Sequence, residues 1–157
     1  IGPDEKLIEA LNASPKDFQV IVITGINKLL FKKTKDIAAR SAKRIIALGF
    51  VTNVHEIMGI SDVIITKPGG LTTAEALAKS LPMIIINPLP GQEEFNTKML
   101  TSGGMAIRAT DESHAVRLLE DLLGNPAGMA KMQEVMKGYA RPNSAADIAE
   151  LLLNLAN

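Results

Sequence analysis

The richest group of potential ligand-binding residues lies in residues 62–75, DVIITKPGGLTTAE. The branched aliphatic residues predict a buried strand that ends at Thr66, and a helix is predicted to start just after the glycine pair. Gly69 and Gly70 let the backbone approach a ligand closely, because neither has a Cβ atom. The first amides of the helix have no partner within it and favour an anion, and the Thr72 hydroxyl adds a donor. These residues predict a cradle for a diphosphate, although many strand–helix turns contain glycine for geometry alone.

Glu75 follows about one turn further into the same predicted helix. A carboxylate beside a phosphate site is electrostatically unfavourable unless it binds another group, and the two adjacent hydroxyls of a ribose would suit it. The alternative is an ion pair with Lys79, at the four-residue spacing that favours such pairs on helices. Taken alone, Glu75 is explained more simply by the ion pair.

A second polar group lies in residues 87–96, NPLPGQEEFN, directly after another predicted strand. Gln92, Glu93 and Asn96 cluster at the start of the helix predicted to follow. Two amides and a carboxylate are suited to binding sugar hydroxyls. Helix capping and a solvated first turn would explain the acidic residues without any ligand.

Alternating strands and helices must position these two groups. Short apolar runs at residues 19–24, 44–48, 62–66, 83–87 and 105–109 predict five strands, separated by segments with helical spacing. This alternation predicts a doubly wound α/β fold, with a mainly parallel, Rossmann-like sheet covered by helices on both faces. Ligands bind at the carboxyl edge of such sheets, where both polar groups are expected.

The two ends of the chain are also informative. The last predicted helix starts at Ser144 and places four apolar residues on one stripe: Ile148, Leu151, Leu152 and Leu155. At the start, Ile1, Gly2 and Pro3 lead directly into a helix-like segment at residues 4–12. Doubly wound domains usually begin with a strand and a glycine-rich turn. Either that first strand is missing from the chain or the domain begins with a helix, and both readings stay open.

Composition narrows the function classes. The chain has 157 residues, enough for one domain, and its 17 basic and 17 acidic residues do not favour a nucleic-acid partner. The absence of cysteine excludes disulfides and thiolate metal sites and suits a reducing cytoplasm. The apolar runs are too short to span a bilayer, so any membrane contact is expected to be peripheral.

One charge run stands apart from this balance. Residues 28–44 contain seven basic residues and a single acid, Asp36. Anionic lipid headgroups could attract such a surface. A solvated helix face is the commoner explanation of a charge run.

Together the two polar groups make the chain recognisable. PGGLTTAE and NPLPGQEEFN, in this order and spacing, resemble the C-terminal domain of GT-B glycosyltransferases. The most similar branch contains the monogalactosyldiacylglycerol synthases and the processive diacylglycerol glucosyltransferases. The resemblance covers nearly the whole chain, from the basic segment near Lys35 to the last helix.

The resemblance implies roles for the matching residues. Gly69, Gly70, Leu71 and Thr72 would hold the diphosphate of a UDP-sugar, and Glu75 would bind its ribose. Gln92 and Glu93 would contact the sugar with support from Asn96, while Phe50 and Val51 would lie against the uracil. No metal ion or cofactor is implied.

The resemblance also implies an enzyme larger than this chain. Residues 1–157 would be the donor-binding domain without its first strand, and the absent N-terminal domain would bind the acceptor and supply the general base. The whole enzyme would transfer a hexose from UDP-glucose or UDP-galactose to a lipid such as diacylglycerol, at the cytoplasmic face of the cell membrane. This chain alone is expected to be inactive. The alternatives are a UDP-N-acetylglucosamine enzyme of the same architecture (a peptidoglycan lipid transferase or an epimerase) and a stand-alone nucleotide-sugar sensor.

Overall fold

The computed structural model describes residues 4–156, so Ile1, Gly2 and Pro3 at the start of the sequence lie outside the described residues. The strands within this range are β1 (Val20–Ile23), β2 (Ile45–Leu48), β3 (Ile64–Thr66), β4 (Met83–Ile85) and β5 (Ala106–Arg108). The helices are α1 (Glu5–Ala13), α2 (Lys28–Arg40), α3 (Val54–Gly59), α4 (Gly70–Ala78), α5 (Gln92–Ser102), α6 (Glu112–Leu123), α7 (Pro126–Tyr139) and α8 (Ser144–Ala156).

All strand pairs in the described residues are parallel, which confirms the predicted α/β fold. β1 pairs with β2, and a second sheet has the order β3-β4-β5. Each of the five predicted strands is present, shortened by one or two residues at one or both ends. The pairing of β3 with β4 places the loops that follow them side by side, as the location of the two polar groups required.

The core has two parts, and α1 joins them. The larger cluster surrounds β4, which is buried along its whole length, as expected for a central parallel strand. The smaller cluster lies against β1 and β2 and includes Ile8, Val22 and Ile37. Leu7 and Leu11 of α1 enter the larger cluster while Ile8 enters the smaller one, so this single helix connects the two sheets.

The helix starts differ in a way that bears on ligand binding. α1, α2, α6 and α7 each begin with an Asp or Asn side chain that accepts a hydrogen bond from an amide of the first turn. By contrast, no side chain caps α3, α4 or α5, and the N-cap residues of α4 and α5 are Gly69 and Gly91. The first amides of these two helices therefore remain available.

The apolar stripe predicted on the last helix lies on the surface. α8 forms as predicted, but Ile148, Leu151, Leu152 and Leu155 are 57%, 58%, 61% and 75% exposed. Among residues 4–156 no helix is both long and apolar enough to cross a membrane.

Candidate functional site

Two hydrogen bonds hold the loop between β3 and α4 in position. The Gly69 amide donates to the Lys67 carbonyl at 2.9 Å, and the Asn96 side-chain amide donates to the Pro68 carbonyl at 2.8 Å. Pro68 is buried beneath the loop. Asn96 belongs to α5, so the second polar group fixes the backbone of the first.

The start of α4 presents free amides. Those of Gly70, Leu71 and Thr72 donate to no acceptor within the described residues. A Cβ atom built on Gly69 would meet nothing within 4 Å, so the backbone faces open space there. The same atom on Gly70 would lie 3.9 Å from Nε2 of Gln92. Unpaired amides at the positive end of a helix dipole, with no side chain in front of them, form a site for an anion.

A cleft of about 330 Å³ opens beside this loop. The cleft is lined by residues at the starts of three helices, α1, α4 and α5, and at the ends of β3 and β4. The lining residues are Asp4, Leu7, Ile65, Thr66, Lys67, Gly69, Thr72, Ile86, Asn87, Leu89 and Glu93. Two neighbouring strand ends and several helix starts thus face one space, as at the ligand-binding edge of an open α/β sheet.

The charged residues that line the cleft are one lysine and two acids. Lys67 is the cation among the lining residues. The two acids have local partners: Asp4 accepts from the Leu7 amide at 2.9 Å, and Glu93 accepts from the Leu89 amide at 2.7 Å. No group of three or more His, Cys, Asp or Glu within residues 4–156 is placed to hold a metal ion.

The loop after β4 bends through two unusual backbone positions. Asn87 has φ 48° and Gly91 has φ 97°, in the left-handed region that glycine tolerates and most residues avoid. The Glu93 carboxylate closes this loop through its bond to Leu89. Next to it, Glu94 forms a bidentate ion pair with Arg108 at 2.9 and 2.7 Å. Both acids of the first turn of α5 therefore have protein partners.

The structure brings most of the sequence-predicted site residues together. Gly69, Thr72 and Glu93 line the cleft, and Gly70, Leu71, Gln92 and Asn96 lie beside it on the same loops and helix starts. Glu75, one turn along α4, forms no ion pair with Lys79 or any other described residue. The simpler explanation of Glu75 is therefore wrong for this structure.

Phe50 and Val51 are placed apart from these residues. They follow β2 in the other sheet, and neither lines the cleft. Phe50 is 72% exposed, so its ring is free to contact a ligand or another surface.

The sequence reasoning missed residues that only the tertiary structure brings to the cleft. Asp4 and Leu7 arrive with α1, and Asn87 arrives with the turn after β4. Asp4 carried a readable signal, since it stands where a helix N-cap is expected, but its neighbours could not be predicted. Thr73 was also missed: its hydroxyl is buried and has no hydrogen-bond partner in the described residues.

Comparisons with known proteins show the family of this chain. The family model described as "Glycosyltransferase family 28 C-terminal domain" matches residues 4–152. The chain is 31% identical over 153 residues to the processive diacylglycerol beta-glucosyltransferase of Bacillus mycoides (strain KBAB4), and equally to that of Bacillus anthracis. Each alignment covers 98% of this chain but 39% of the relative, so the chain spans about two fifths of these relatives' length.

Two solved structures share the fold of this chain. MurG of Acinetobacter baumannii superposes with a TM-score of 0.80 at 20% identity, covering 94% of this chain and 44% of MurG. A UDP-glucosyltransferase from Polygonum tinctorium gives 0.69 at 19% identity, covering 85% of this chain and 32% of that enzyme. The fold is that of a GT-B C-terminal domain, and the chain belongs to glycosyltransferase family 28, as its C-terminal domain.

Proposed function

We propose that this chain is the donor-binding domain of a glycosyltransferase that moves a hexose from UDP-glucose or UDP-galactose to a lipid acceptor such as diacylglycerol. The observation that carries the proposal is the uncapped start of α4 at Gly69, which opens onto a cleft beside Lys67. The acceptor is inferred from the relatives, which are processive diacylglycerol beta-glucosyltransferases.

In the proposed complex the diphosphate lies against the free amides of Gly70, Leu71 and Thr72. Negative charge develops on the diphosphate as the glycosidic bond breaks, and fixed amide dipoles stabilise that charge without having to reorient. Lys67 adds a positive charge on the same side of the cleft. These groups would therefore assist departure of UDP.

The other residues would orient the donor. The Glu75 carboxylate forms no ion pair with a described residue, so it is free to accept hydrogen bonds from the ribose hydroxyls. Gln92 and Glu93 would bind hexose hydroxyls, while Asn96 holds the loop through the Pro68 carbonyl. The uracil would lie against Phe50 and Val51 when the donor spans the edges of both sheets.

The remaining chemistry would come from outside these residues. In the whole protein, the part that precedes this domain would bind the acceptor and supply the general base, and neither a metal ion nor another cofactor would be needed. This chain alone would bind the donor and remain inactive, because orienting the acceptor is a large part of the rate.

A second candidate is an enzyme that uses UDP-N-acetylglucosamine. The observation that favours it is the TM-score of 0.80 with MurG. The higher identity of 31% to diacylglycerol glucosyltransferases, over 98% of the chain, favours the hexose donor instead. A stand-alone nucleotide-sugar sensor remains the alternative from another class.

Calorimetric titration with UDP, UDP-glucose, UDP-galactose and UDP-N-acetylglucosamine tests the proposal. We expect UDP to bind. Glu75→Ala should weaken UDP binding by about tenfold or more, because it removes a hydrogen bond between a charged group and the ribose. Lys79→Ala is the matched control, because Lys79 follows α4 directly and its side chain forms no ion pair with Glu75. Equal affinity in wild type and Glu75→Ala would remove Glu75 from the donor site, and preference for the N-acetylated sugar would select the second candidate.

A further inference from the structure

The outward side of α2 carries an unusual combination of basic and apolar residues. Lys28, Lys32 and Lys35 are exposed and follow the spacing that places residues on one face of a helix. At the start of the same helix, Ile26 is 88% exposed and Leu29 is 66% exposed. We call these five residues the α2 surface.

The neighbouring basic residues are held by other parts of the protein. Lys33 pairs with Glu5, and Arg40 pairs with Glu9, on the side of α2 that contacts α1. Lys43 lies over the Phe18 ring, with Nζ 4.4 Å from its centroid. Three of the seven basic residues of the run thus have partners elsewhere in the chain, whereas the other four are exposed: Lys28, Lys32, Lys35 and Arg44.

None of the three lysines of the α2 surface forms an ion pair with a described residue. Nζ of Lys35 lies over the Phe31 ring of the same helix, 5.7 Å from its centroid, and this contact with a neutral ring leaves the positive charge in place. Asp36 is the acid on this side of the helix, and it too is exposed. The surface therefore carries a net positive charge in a chain whose formal net charge is zero.

We propose that the α2 surface docks on an anionic lipid membrane. A solvated helix face accounts for the lysines but not for two branched apolar side chains exposed beside them. An interface of anionic headgroups accounts for both, since the lysines bind the headgroups while Ile26 and Leu29 enter the acyl boundary. The proposal deepens the proposed function, whose lipid acceptor would lie in the same membrane.

Vesicle flotation of the purified protein tests the charge component. The protein binds vesicles that contain phosphatidylglycerol more strongly than vesicles of phosphatidylcholine alone. Replacing Lys28, Lys32 and Lys35 by Gln weakens that binding about fivefold per lysine, or roughly a hundredfold in total. The control replaces the exposed Lys79, Lys98 and Lys131, on other elements, by Gln; it changes the net charge equally and leaves binding within about twofold.

A fluorescence experiment tests the apolar component. The chain contains no tryptophan, so Leu29→Trp introduces a probe at the α2 surface. Its emission shifts to the blue when phosphatidylglycerol vesicles are added, because the indole leaves water. Ile60→Trp is the control: Ile60 follows α3 and is 78% exposed, and a tryptophan at this position shows no shift.

Three results would overturn the proposal: equal loss of binding in both triple variants, no blue shift at position 29, or a soluble polyanion that binds as tightly as the vesicles. UDP titration of the same triple variant separates this proposal from the proposed function. A triple variant that keeps its UDP affinity but loses vesicle binding supports the membrane role of the α2 surface. A folded protein that binds vesicles but not UDP would contradict the proposed donor site and leave the membrane proposal intact.

Discussion

Gly69→Ala is the sharpest test of the anion site, because the substitution adds one methyl group where the protein has room for it. Gly69 has φ −63° and ψ 142°, an ordinary conformation for alanine, and the new Cβ would meet nothing within 4 Å. The space it enters is the cleft in front of the α4 amides. The methyl group therefore interferes with a ligand rather than with the fold.

Gly69→Ala should change the free energy of unfolding less than the free energy of UDP binding. Alanine is a poorer N-cap than glycine by about 0.5–1 kcal/mol, but it restricts the unfolded chain, which stabilises by about 0.4–1 kcal/mol. The free energy of unfolding should thus stay within about 0.5 kcal/mol of wild type. Losing one hydrogen bond between a backbone amide and a phosphate oxygen costs about 1.5–3 kcal/mol, which weakens UDP binding roughly tenfold to 150-fold.

The assay combines UDP titration with chemical denaturation of the same samples. Gly138→Ala is the matched control: its Cβ also meets nothing within 4 Å, but it lies at the end of α7, away from the cleft. It should raise stability by up to about 1 kcal/mol and leave UDP binding unchanged. Unchanged UDP affinity in Gly69→Ala would refute the assignment of the diphosphate to this loop.

Three further substitutions test the surroundings of the site. Thr73→Val should stabilise the protein by about 1 kcal/mol in chemical denaturation, because it removes a buried hydroxyl without a partner; a loss of stability would mean that the hydroxyl has a partner. Asn96→Ala should weaken UDP binding about tenfold by freeing the Pro68 carbonyl, and unchanged binding would show that this contact does not position the loop. The His114 amide and the Thr110 hydroxyl donate hydrogen bonds to the Asp111 carboxylate and hold its pKa below the ordinary value of 3.8. The contribution of Asp111 to stability is therefore present above that pH and is lost as the pH falls through the folded-state pKa. Asp111→Asn should therefore flatten the acid dependence of stability measured by urea denaturation, and an unaltered pH profile would contradict this.

The sequence was sufficient to predict the elements that position the site. Periodicity located five strands and the main helices, because apolar residues follow the period of the element that buries them. It also placed the residues around Gly69 and Gln92 at one edge, since loops after paired parallel strands must be neighbours. The ends of β3 and β4 lie together as expected.

Side-chain partners could not be predicted in the same way. The bond from the Leu89 amide to Glu93 depends on the positive φ of Gly91 and Asn87, which turns the loop back on itself. The absence of an ion pair between Glu75 and Lys79 is a choice between rotamers that spacing alone leaves open. The sequence predicts which residues share a face, whereas the contacts on that face depend on tertiary packing.

Two half-buried strands, β1 and β3, lie at free edges of the two sheets. β1 (VIVI) and β3 (IIT) have the composition of central strands, yet most of their residues are half-buried, whereas β4 is fully buried. β1 pairs only with β2 and β3 only with β4, so each has one edge without a partner among the described strands. α1 packs against α2 and α6 and contributes to both core clusters. A parallel strand before α1, joined to β1 by the usual right-handed crossover, would pair with the free edge of β1 and cover β3. A strand before α1 stays a prediction, and the free edges of β1 and β3 are the positions at which it would pair.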